Sequence, residues 1–202
     1  MSAGKITLIA WCALTWVACI AAAFAYLNRY SSIPGAASTV SQSASEFLAS
    51  VRQPERPIIL VAVHPRCPCT NATLAELGDL LARSHGRCDA VVLEFQPLNP
   101  VSDWPKPATS LTLGGVRVRV IADPAGQLAE KIGARTSGHL VFVDAAGAIR
   151  FQGGLTLSRG HRGRSPAQDA MLAAITGGKP ALTNAPVFGC ALLPDCKSAL
   201  NE

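Results

Sequence analysis

The 202-residue sequence predicts an α/β sandwich, with a central mixed sheet flanked by helices, that follows an N-terminal transmembrane helix. Three observations predict it. An uncharged apolar run lies near the N-terminus, a continuous apolar strand is bounded by prolines, and helical and strand-like patterns alternate after that strand. The chain is 49% hydrophobic and only 15% charged, which excludes a disordered, highly solvated protein.

The apolar run covers residues 6–27 and follows a short segment, 1–5, assigned to the cytoplasm. At ~1.5 Å per residue it extends about 33 Å, enough to cross a hydrocarbon core of ~30 Å. Two alternatives stay open. One is a cleavable signal peptide ending at Ala23-Phe24-Ala25. The other is a lipoprotein signal ending at Cys19, although Trp16 is bulky for that motif. In all three cases the rest of the chain is exported.

The remaining chain divides into three predicted parts. Residues 28–56 are rich in Ser, Ala and Pro, which is typical of a tether, with one short helix around 46–51. Residues 57–178 form the folded domain, and 179–202 form a Pro- and Gly-rich tail that carries Cys190 and Cys196.

The pattern of the domain predicts the order β, α, β, loop, β, α, β, β, α. Strands are predicted over 57–63, 90–95, 116–121, 139–143 and 148–151, and helices over 70–83, 123–132 and 166–176. The segment 64–69 is predicted as a loop because Pro65 and Pro68 oppose regular structure. Two βα units, a closing hairpin and a final helix describe a thioredoxin-like sandwich.

Cysteine usage indicates reactive chemistry. Two of seven cysteines lie in the apolar run, and the other five are Cys67, Cys69, Cys88, Cys190 and Cys196. Five is odd, so a purely structural set of disulfides leaves one thiol over. The spacing of Cys190 and Cys196 suits a small structural disulfide. Alternatively, Cys190 folds back to exchange with Cys67 or Cys69, or becomes a third metal ligand. Cys88 is expected to be buried and unreactive.

Cys67-Pro68-Cys69 follows the first strand and precedes the first helix, the arrangement of a thiol redox site. A helix N-terminus stabilises a thiolate, the nucleophile of disulfide exchange. We therefore expect Cys67 to attack, Cys69 to resolve the mixed disulfide, and His64 to act as base or ligand. A disulfide across one intervening residue is strained and easier to reduce. Buried inert cysteines and a Cu(I) or Zn(II) site are the alternatives.

Several uncommon motifs resemble those of the bacterial RedB family of thioredoxin-like proteins. They are His64-Pro65-Arg66-Cys67-Pro68-Cys69-Thr70, Ala72-Thr73-Leu74-Ala75-Glu76-Leu77, Thr136-Ser137-Gly138-His139, Gly153-Gly154-Leu155-Thr156, Arg159-Gly160-His161-Arg162-Gly163 and Pro186-Val187-Phe188-Gly189-Cys190. The resemblance covers most of residues 57–192. The resemblance indicates the family and says little about the reaction. The wider thioredoxin superfamily implies disulfide exchange, here with exported protein disulfides or thiols. It also implies a single-pass protein of the bacterial inner membrane whose domain faces the periplasm, as in relatives of the TlpA type.

One departure from thioredoxin relatives affects the site. Their cis-proline, which presents backbone to the substrate and keeps metals from the thiols, is replaced here within Thr136-Ser137-Gly138-His139. Ser137, Gly138 and His139 are therefore candidate binding or tuning residues, with His139 expected near the cysteines. The departure also favours the alternative of copper or zinc held for respiratory-enzyme assembly. Its candidate ligands are Cys67, Cys69, His64, His139 and Cys190.

The remaining polar features indicate which classes of binding partner the sequence favours and which it argues against. Arg159 and His161 lie in a glycine-spaced basic loop, which is either a solvated turn or a docking loop for an anion or partner beside the cysteines. Few aromatics and scattered charge argue against nucleic acid, and no phosphate-binding loop motif is present. The leading hypothesis is a membrane-anchored thiol–disulfide oxidoreductase without a cofactor. A protein-docking domain without redox chemistry is a third possibility.

Overall fold

The structure is a computed structural model that describes residues 3–36, 40 and 44–192. The chain divides into two compact units, Met1–Ile33 and Pro34–Glu202. The first contains helix α1 (Ala3–Ser32), whose Trp11 and Trp16 are each 68% exposed. The segment Gly4–Ser32 has a mean hydropathy of 2.2 and is long and apolar enough to cross a membrane. A signal sequence has the same length and composition.

The second unit is built on a six-stranded mixed sheet with the order β3-β4-β2-β1-β5-β6. The strands are β1 (Ile58–Val63), β2 (Asp89–Gln96), β3 (Ser110–Leu113), β4 (Val116–Pro124), β5 (His139–Val143) and β6 (Ile149–Gly153). Strands β1, β2 and β4 run parallel, whereas β3, β5 and β6 pair antiparallel with their neighbours. Every residue of β1 is buried, which explains its unbroken apolar run.

Four helices cover the two faces of this sheet. They are α2 (Ala44–Val51), α3 (Pro68–Ser84), α4 (Gln127–Lys131) and α5 (Pro166–Ile175). Leu77 of α3 and Met171 of α5 pack with Ile59 of β1 on one face. Leu48 of α2 and Ala129 of α4 pack on the other. The predicted sandwich is confirmed.

Helix α3 begins at Pro68, two residues earlier than the sequence pattern indicates. Proline is well tolerated at the first helical position, because its missing N–H has no partner there in any case. Its fixed φ also suits the helix. Pro68 therefore starts the helix instead of prolonging the loop, and Cys69 lies within its first turn.

Two further elements differ from the prediction. Strand β3 was not predicted, although Gly114-Gly115 supplies the two positive-φ residues that a tight hairpin to β4 requires. Helix α4 begins at Gln127 instead of residue 123, because Pro124 is the last residue of β4 and pairs with Gln96. Asp123 still stabilises the helix start, since its carboxylate accepts from the N–H groups of Leu128 at 2.7 Å and Ala129 at 2.9 Å.

Parts of the predicted tether and tail pack against the domain. Within residues 28–56, α2 buries Ala44 and Leu48 against the sheet. In the tail, Val187, Phe188 and Leu192 are buried. Cys196 lies outside the described residues, and with it the predicted Cys190–Cys196 bridge.

Candidate active site

The end of β1 places Cys67 at the N-cap of α3. The chain turns after Val63, and the N–H of Cys67 donates to the carbonyl of His64 at 3.0 Å. Cys67 has extended backbone angles, and its carbonyl accepts from the N–H of Thr70 at 3.0 Å, which closes the first helical turn. An N-cap residue lies at the positive end of the helix dipole, beside the free N–H groups of the first turn.

Three thiols meet at this point: Cys67, Cys69 and Cys190, called here the thiol cluster. Cys67 is 4% exposed and Cys69 is 8% exposed. The Cys190 thiol and backbone N–H both hydrogen-bond to Cys67. All three are free thiols in the structure. The cluster therefore joins the two cysteines predicted for the site with a third that lies more than 120 positions away in the chain.

The environment separates the pKa values of these thiols. Burial alone raises the pKa of Cys67, but hydrogen bonds to its sulfur outweigh burial, and the pKa lies below its ordinary value. The donors are the Cys190 thiol and N–H, the Cys69 N–H and the Ser137 hydroxyl. Burial and the adjacent Cys67 charge raise the pKa of Cys69. Burial, followed by its hydrogen bond to Cys67, raises the pKa of Cys190 to about 12. Cys67 is thus the thiol that ionises first.

Ser137 connects the sheet to the thiol cluster. Its hydroxyl accepts from the N–H of His64 at 3.0 Å, lies 3.0 Å from the hydroxyl of Thr70, and hydrogen-bonds to Cys67. Gly138, the next residue, has a φ of +94°, and an added Cβ would come within 2.8 Å of Thr73 Oγ1. Glycine is therefore required where the chain passes α3 and enters β5.

The C-terminal segment 187–192, called here the strap, carries Cys190 to the cluster. The Ser137 N–H donates to the Cys190 carbonyl at 2.8 Å, and the Leu192 N–H donates to the Arg135 carbonyl at 2.8 Å. Between them Thr136 and Ala191 form an antiparallel bridge. The strap thus pairs with residues 135–137 as a short strand would.

His64 lies beside the site within an aromatic cluster. Its ring stacks on Phe95 with centroids 5.2 Å apart and meets the edge of Trp104 at 5.5 Å. Arg66 lies over the Trp104 ring at 4.7 Å and forms an ion pair with Asp103 at 2.8 Å. Burial, and then the nearby charge of Arg66, lowers the pKa of His64. Its Nδ1 accepts from the Arg66 N–H at 3.2 Å, so the basic nitrogen of the neutral ring faces backbone.

The structure does not bring the His139 ring to the thiol cluster. Side chains alternate along β5, and His139 shares the face of Val141 and Val143, opposite α3. The ring is 2% exposed, and neither nitrogen has a hydrogen-bond partner. Burial lowers the pKa of His139 to about 4.

The basic loop contributes Arg159 to the site, whereas His161 is exposed. Arg159 donates to the carbonyl of Gly189 in the strap. Its positive charge partly offsets the burial that raises the pKa values of Cys69 and Cys190. Buried Glu76 anchors the loop by accepting from the Gly163 N–H at 2.7 Å and from the Gln168 amide.

Among residues 3–36, 40 and 44–192, no group of three or more His, Cys, Asp or Glu side chains is arranged to hold a metal ion. The three sulfurs of the thiol cluster, which lie within these residues, do not form such a group. The two histidines predicted as metal ligands lie apart from each other. His64 faces the aromatic cluster, and His139 lies on the opposite side of the sheet from α3.

Sequence reasoning missed Thr70, Phe95 and Trp104 as neighbours of the site. Thr70 carried a signal, since it directly follows Cys69 at a helix start where hydroxyl residues bond to backbone. Trp104 is the one tryptophan outside the apolar run. Phe95, at the end of β2, reaches His64 only through the parallel pairing of β1 and β2.

Two solved structures align with TM-scores above 0.5 and support the fold. An uncharacterized conserved protein from Geobacillus kaustophilus aligns with a TM-score of 0.56 and 13% identity over 82% of this chain and 93% of that chain. A hypothetical protein from Sinorhizobium meliloti 1021 aligns with a TM-score of 0.54 and 14% identity over 82% and 95%. A secreted Mycobacterium tuberculosis disulfide oxidoreductase homologous to Escherichia coli DsbE aligns with a TM-score of 0.40 and 13% identity over 70% and 95%.

No family model and no curated protein matches the sequence. The fold class of the second unit follows from three features: the order of the strands, the helices on both faces of the sheet, and the cysteine pair at the start of α3 after the central strand. The second unit of the chain has a thioredoxin-like fold.

Proposed function

We propose that this chain is a RedB-like, membrane-anchored thiol–disulfide oxidoreductase that acts in the bacterial periplasm on the disulfides or thiols of exported proteins. One observation carries the proposal: Cys67 lies at a helix N-cap where hydrogen bonds lower its pKa despite burial. Helix α1 supports the anchoring, because its length and composition suit a single membrane crossing.

The first step uses the Cys67 thiolate. It attacks one sulfur of a substrate disulfide, the substrate S–S bond breaks, and the leaving thiolate takes a proton from solvent. The product is a mixed disulfide between Cys67 and the substrate. A second cysteine then loses its proton and attacks the Cys67 sulfur, which releases the other substrate thiol and forms an enzyme disulfide. Two electrons pass from two cysteines to the substrate. Cys69, which the sequence indicates, and Cys190 both lie next to Cys67 for this step.

Changing Cys67 to serine tests the proposal. Cys67→Ser should abolish dithiothreitol-coupled reduction of insulin disulfides by the full chain in detergent micelles, because a serine hydroxyl does not ionise at neutral pH. Cys88→Ala is the matched control. Cys88 is a buried thiol whose pKa burial raises to about 11, and it lies at the other end of α3. Full activity in Cys67→Ser would refute the proposal. So would stoichiometric bound copper or zinc in the wild type that the same substitution removes.

A further inference from the structure

The strap is held in place by contacts at five of its six positions, Val187 and residues 189–192. Besides the pairing with residues 135–137, the carbonyl of Gly189 accepts from Arg159, and the carbonyl of Val187 accepts from the Gly35 N–H at 2.8 Å. Gly189 is needed for this approach, because a Cβ there would lie 2.0 Å from the carbonyl oxygen of Ser137. These contacts fix the position of Cys190 beside Cys67.

Local geometry disfavours a Cys67–Cys69 bond. One residue separates these cysteines, and the Cys69 thiol hydrogen-bonds to Cys67 as the Cys190 thiol does. Cys67, however, is the extended N-cap, whereas Cys69 lies within the first helical turn. Pro68 between them has a fixed φ, and the Thr70 N–H bond to the Cys67 carbonyl closes the turn. A disulfide within this turn has to distort it, which stores strain and makes the bond easier to reduce.

Cys190 meets Cys67 without this constraint. It arrives on a separate segment, and its thiol and N–H both reach the Cys67 sulfur. Ser137 joins the two, since its hydroxyl bonds to Cys67 while its N–H bonds to the Cys190 carbonyl. A thiol held in place in this way has a high effective concentration toward its partner.

We propose that Cys190 on the strap, and not Cys69, is the resolving thiol, so that the redox couple of this protein is Cys67–Cys190. The proposal rests on the function proposed above. Once Cys67 carries the substrate sulfur, Cys190 loses its proton to solvent and its sulfur attacks Cys67. The mixed disulfide breaks, the substrate thiolate leaves and takes a proton, and a Cys67–Cys190 disulfide forms.

The charges around Cys190 agree with this order of events. The pKa of Cys190 is raised by burial, and also by its hydrogen bond to Cys67 and by the Cys67 charge, while Arg159 acts in the opposite direction. Formation of the mixed disulfide removes the Cys67 charge. The pKa of Cys190 then falls, because the contributions of Cys67 are lost while burial remains.

Disulfide mapping tests the assignment. The full chain, and variants Cys69→Ser, Cys190→Ser and Cys196→Ser, would be equilibrated in a glutathione redox series, alkylated, digested with trypsin without reduction, and analysed by mass. Trypsin releases Cys67 and Cys69 on one peptide, 67–83, and Cys190 on another. We expect a cross-link between the two peptides in wild type, Cys69→Ser and Cys196→Ser. Cys190→Ser should lose it and accumulate a glutathione adduct on Cys67.

A second variant keeps all the cysteines. Gly189→Ala should displace the strap, so that the Cys67–Cys190 bond forms only at a more oxidising glutathione ratio than in wild type. Gly4→Ala, where an added Cβ meets nothing within 4 Å and the backbone has no positive φ, serves as the control. An internal Cys67–Cys69 bond in wild type that survives in Cys190→Ser would overturn this assignment and leave the proposed function intact. A wild-type Cys67 that never oxidises would overturn both.

Discussion

At the scale of single residues, three neighbouring cysteines, two at the start of α3 and one on the strap, have different chemistry. Cys67 has the N-cap position, and hydrogen-bonding groups around its sulfur lower its pKa despite burial, whereas burial is the largest cause of the raised pKa values of Cys69 and Cys190. A thiolate that ionises first is the one that reacts first, so the order of the reaction follows from these local contacts.

The contribution of the Ser137 hydroxyl to the lowered pKa of Cys67 can be tested by substitution. Ser137→Ala removes a donor to Cys67, so the pKa of Cys67 should rise and its thiolate fraction at neutral pH should fall. The measurement is the pH dependence of iodoacetamide alkylation of Cys67 in the reduced protein. Its midpoint should lie below that of an ordinary cysteine thiol in wild type and move upward in the variant. Ser84→Ala is the control, because it removes a buried hydroxyl at the other end of α3. An unchanged midpoint in Ser137→Ala would show that Ser137 does not tune Cys67.

His139 is a buried histidine without a hydrogen-bond partner in the structure. Its folded-state pKa is about 4, whereas an unfolded histidine titrates near ~6.5. Below pH ~6.5 the unfolded chain therefore binds a proton that the folded chain does not. The stabilising contribution is complete above that pH and is lost as the pH falls toward 4, by roughly 3 kcal/mol at most.

His139→Leu should flatten this pH dependence. Urea unfolding at pH 7.5 and pH 5 would show a smaller loss of stability in the variant than in wild type. His161→Gln, at an exposed position, should keep the wild-type slope. Equal slopes in wild type and His139→Leu would mean that other groups, such as His64 with its lowered pKa, account for the acid sensitivity.

At the scale of elements, α3 organises both ends of the site. Its N-terminus holds Cys67, and more than two turns further along, buried Glu76 binds the basic loop directly through Gly163 and indirectly through Gln168 of α5. The loop in turn places Arg159 against the strap. A single helix therefore positions the nucleophile and, through the loop, the segment that carries Cys190.

Glu76→Ala should free the basic loop. Loss of hydrogen bonds to a buried carboxylate costs about 2–3 kcal/mol of stability. Limited trypsin digestion should cut faster after Arg162 and Arg164, which are exposed. The exposed Asp79 on the same helix provides the control variant Asp79→Ala, for which neither stability nor cleavage should change appreciably. Identical digestion of wild type and Glu76→Ala would show that the loop is held by other contacts.

At the scale of the whole molecule, the apolar helix and the thiol cluster belong to different units. The core of Pro34–Glu202 lies on both faces of its own sheet, and every residue of the thiol cluster belongs to that unit. The first unit is one apolar helix with exposed side chains. A chain beginning at Pro34 should therefore fold and keep the reactivity of Cys67.

Fractionation tests this division. The full chain expressed in a bacterium should stay in carbonate-washed membranes with an intact mass that includes α1, and the chain beginning at Pro34 should be recovered without detergent. A mature mass that begins after Ala25 would replace the anchor with a cleaved signal peptide. A chain from Pro34 that does not fold would contradict the independence of the second unit.

The sequence by itself determined the apolar helix, the buried central strand, the closing hairpin and the place of Cys67 and Cys69 at a helix start. These features depend on residues close together in the chain, whose periodicity, proline positions and apolar runs directly reflect local structure and burial. Strand β3 carried a signal as well, in Gly114-Gly115, that an alternating run beside it supports.

Only the tertiary structure decided which distant residues share the site. It joined Cys190 to Cys67 through the pairing of the strap with residues 135–137, and it turned the His139 ring to the other face of the sheet. A shift of one residue along a strand reverses the face of a side chain, and contacts across such sequence distances leave no local periodicity. The thiol cluster is therefore a product of strand register and chain packing, which no segment of the sequence contains alone.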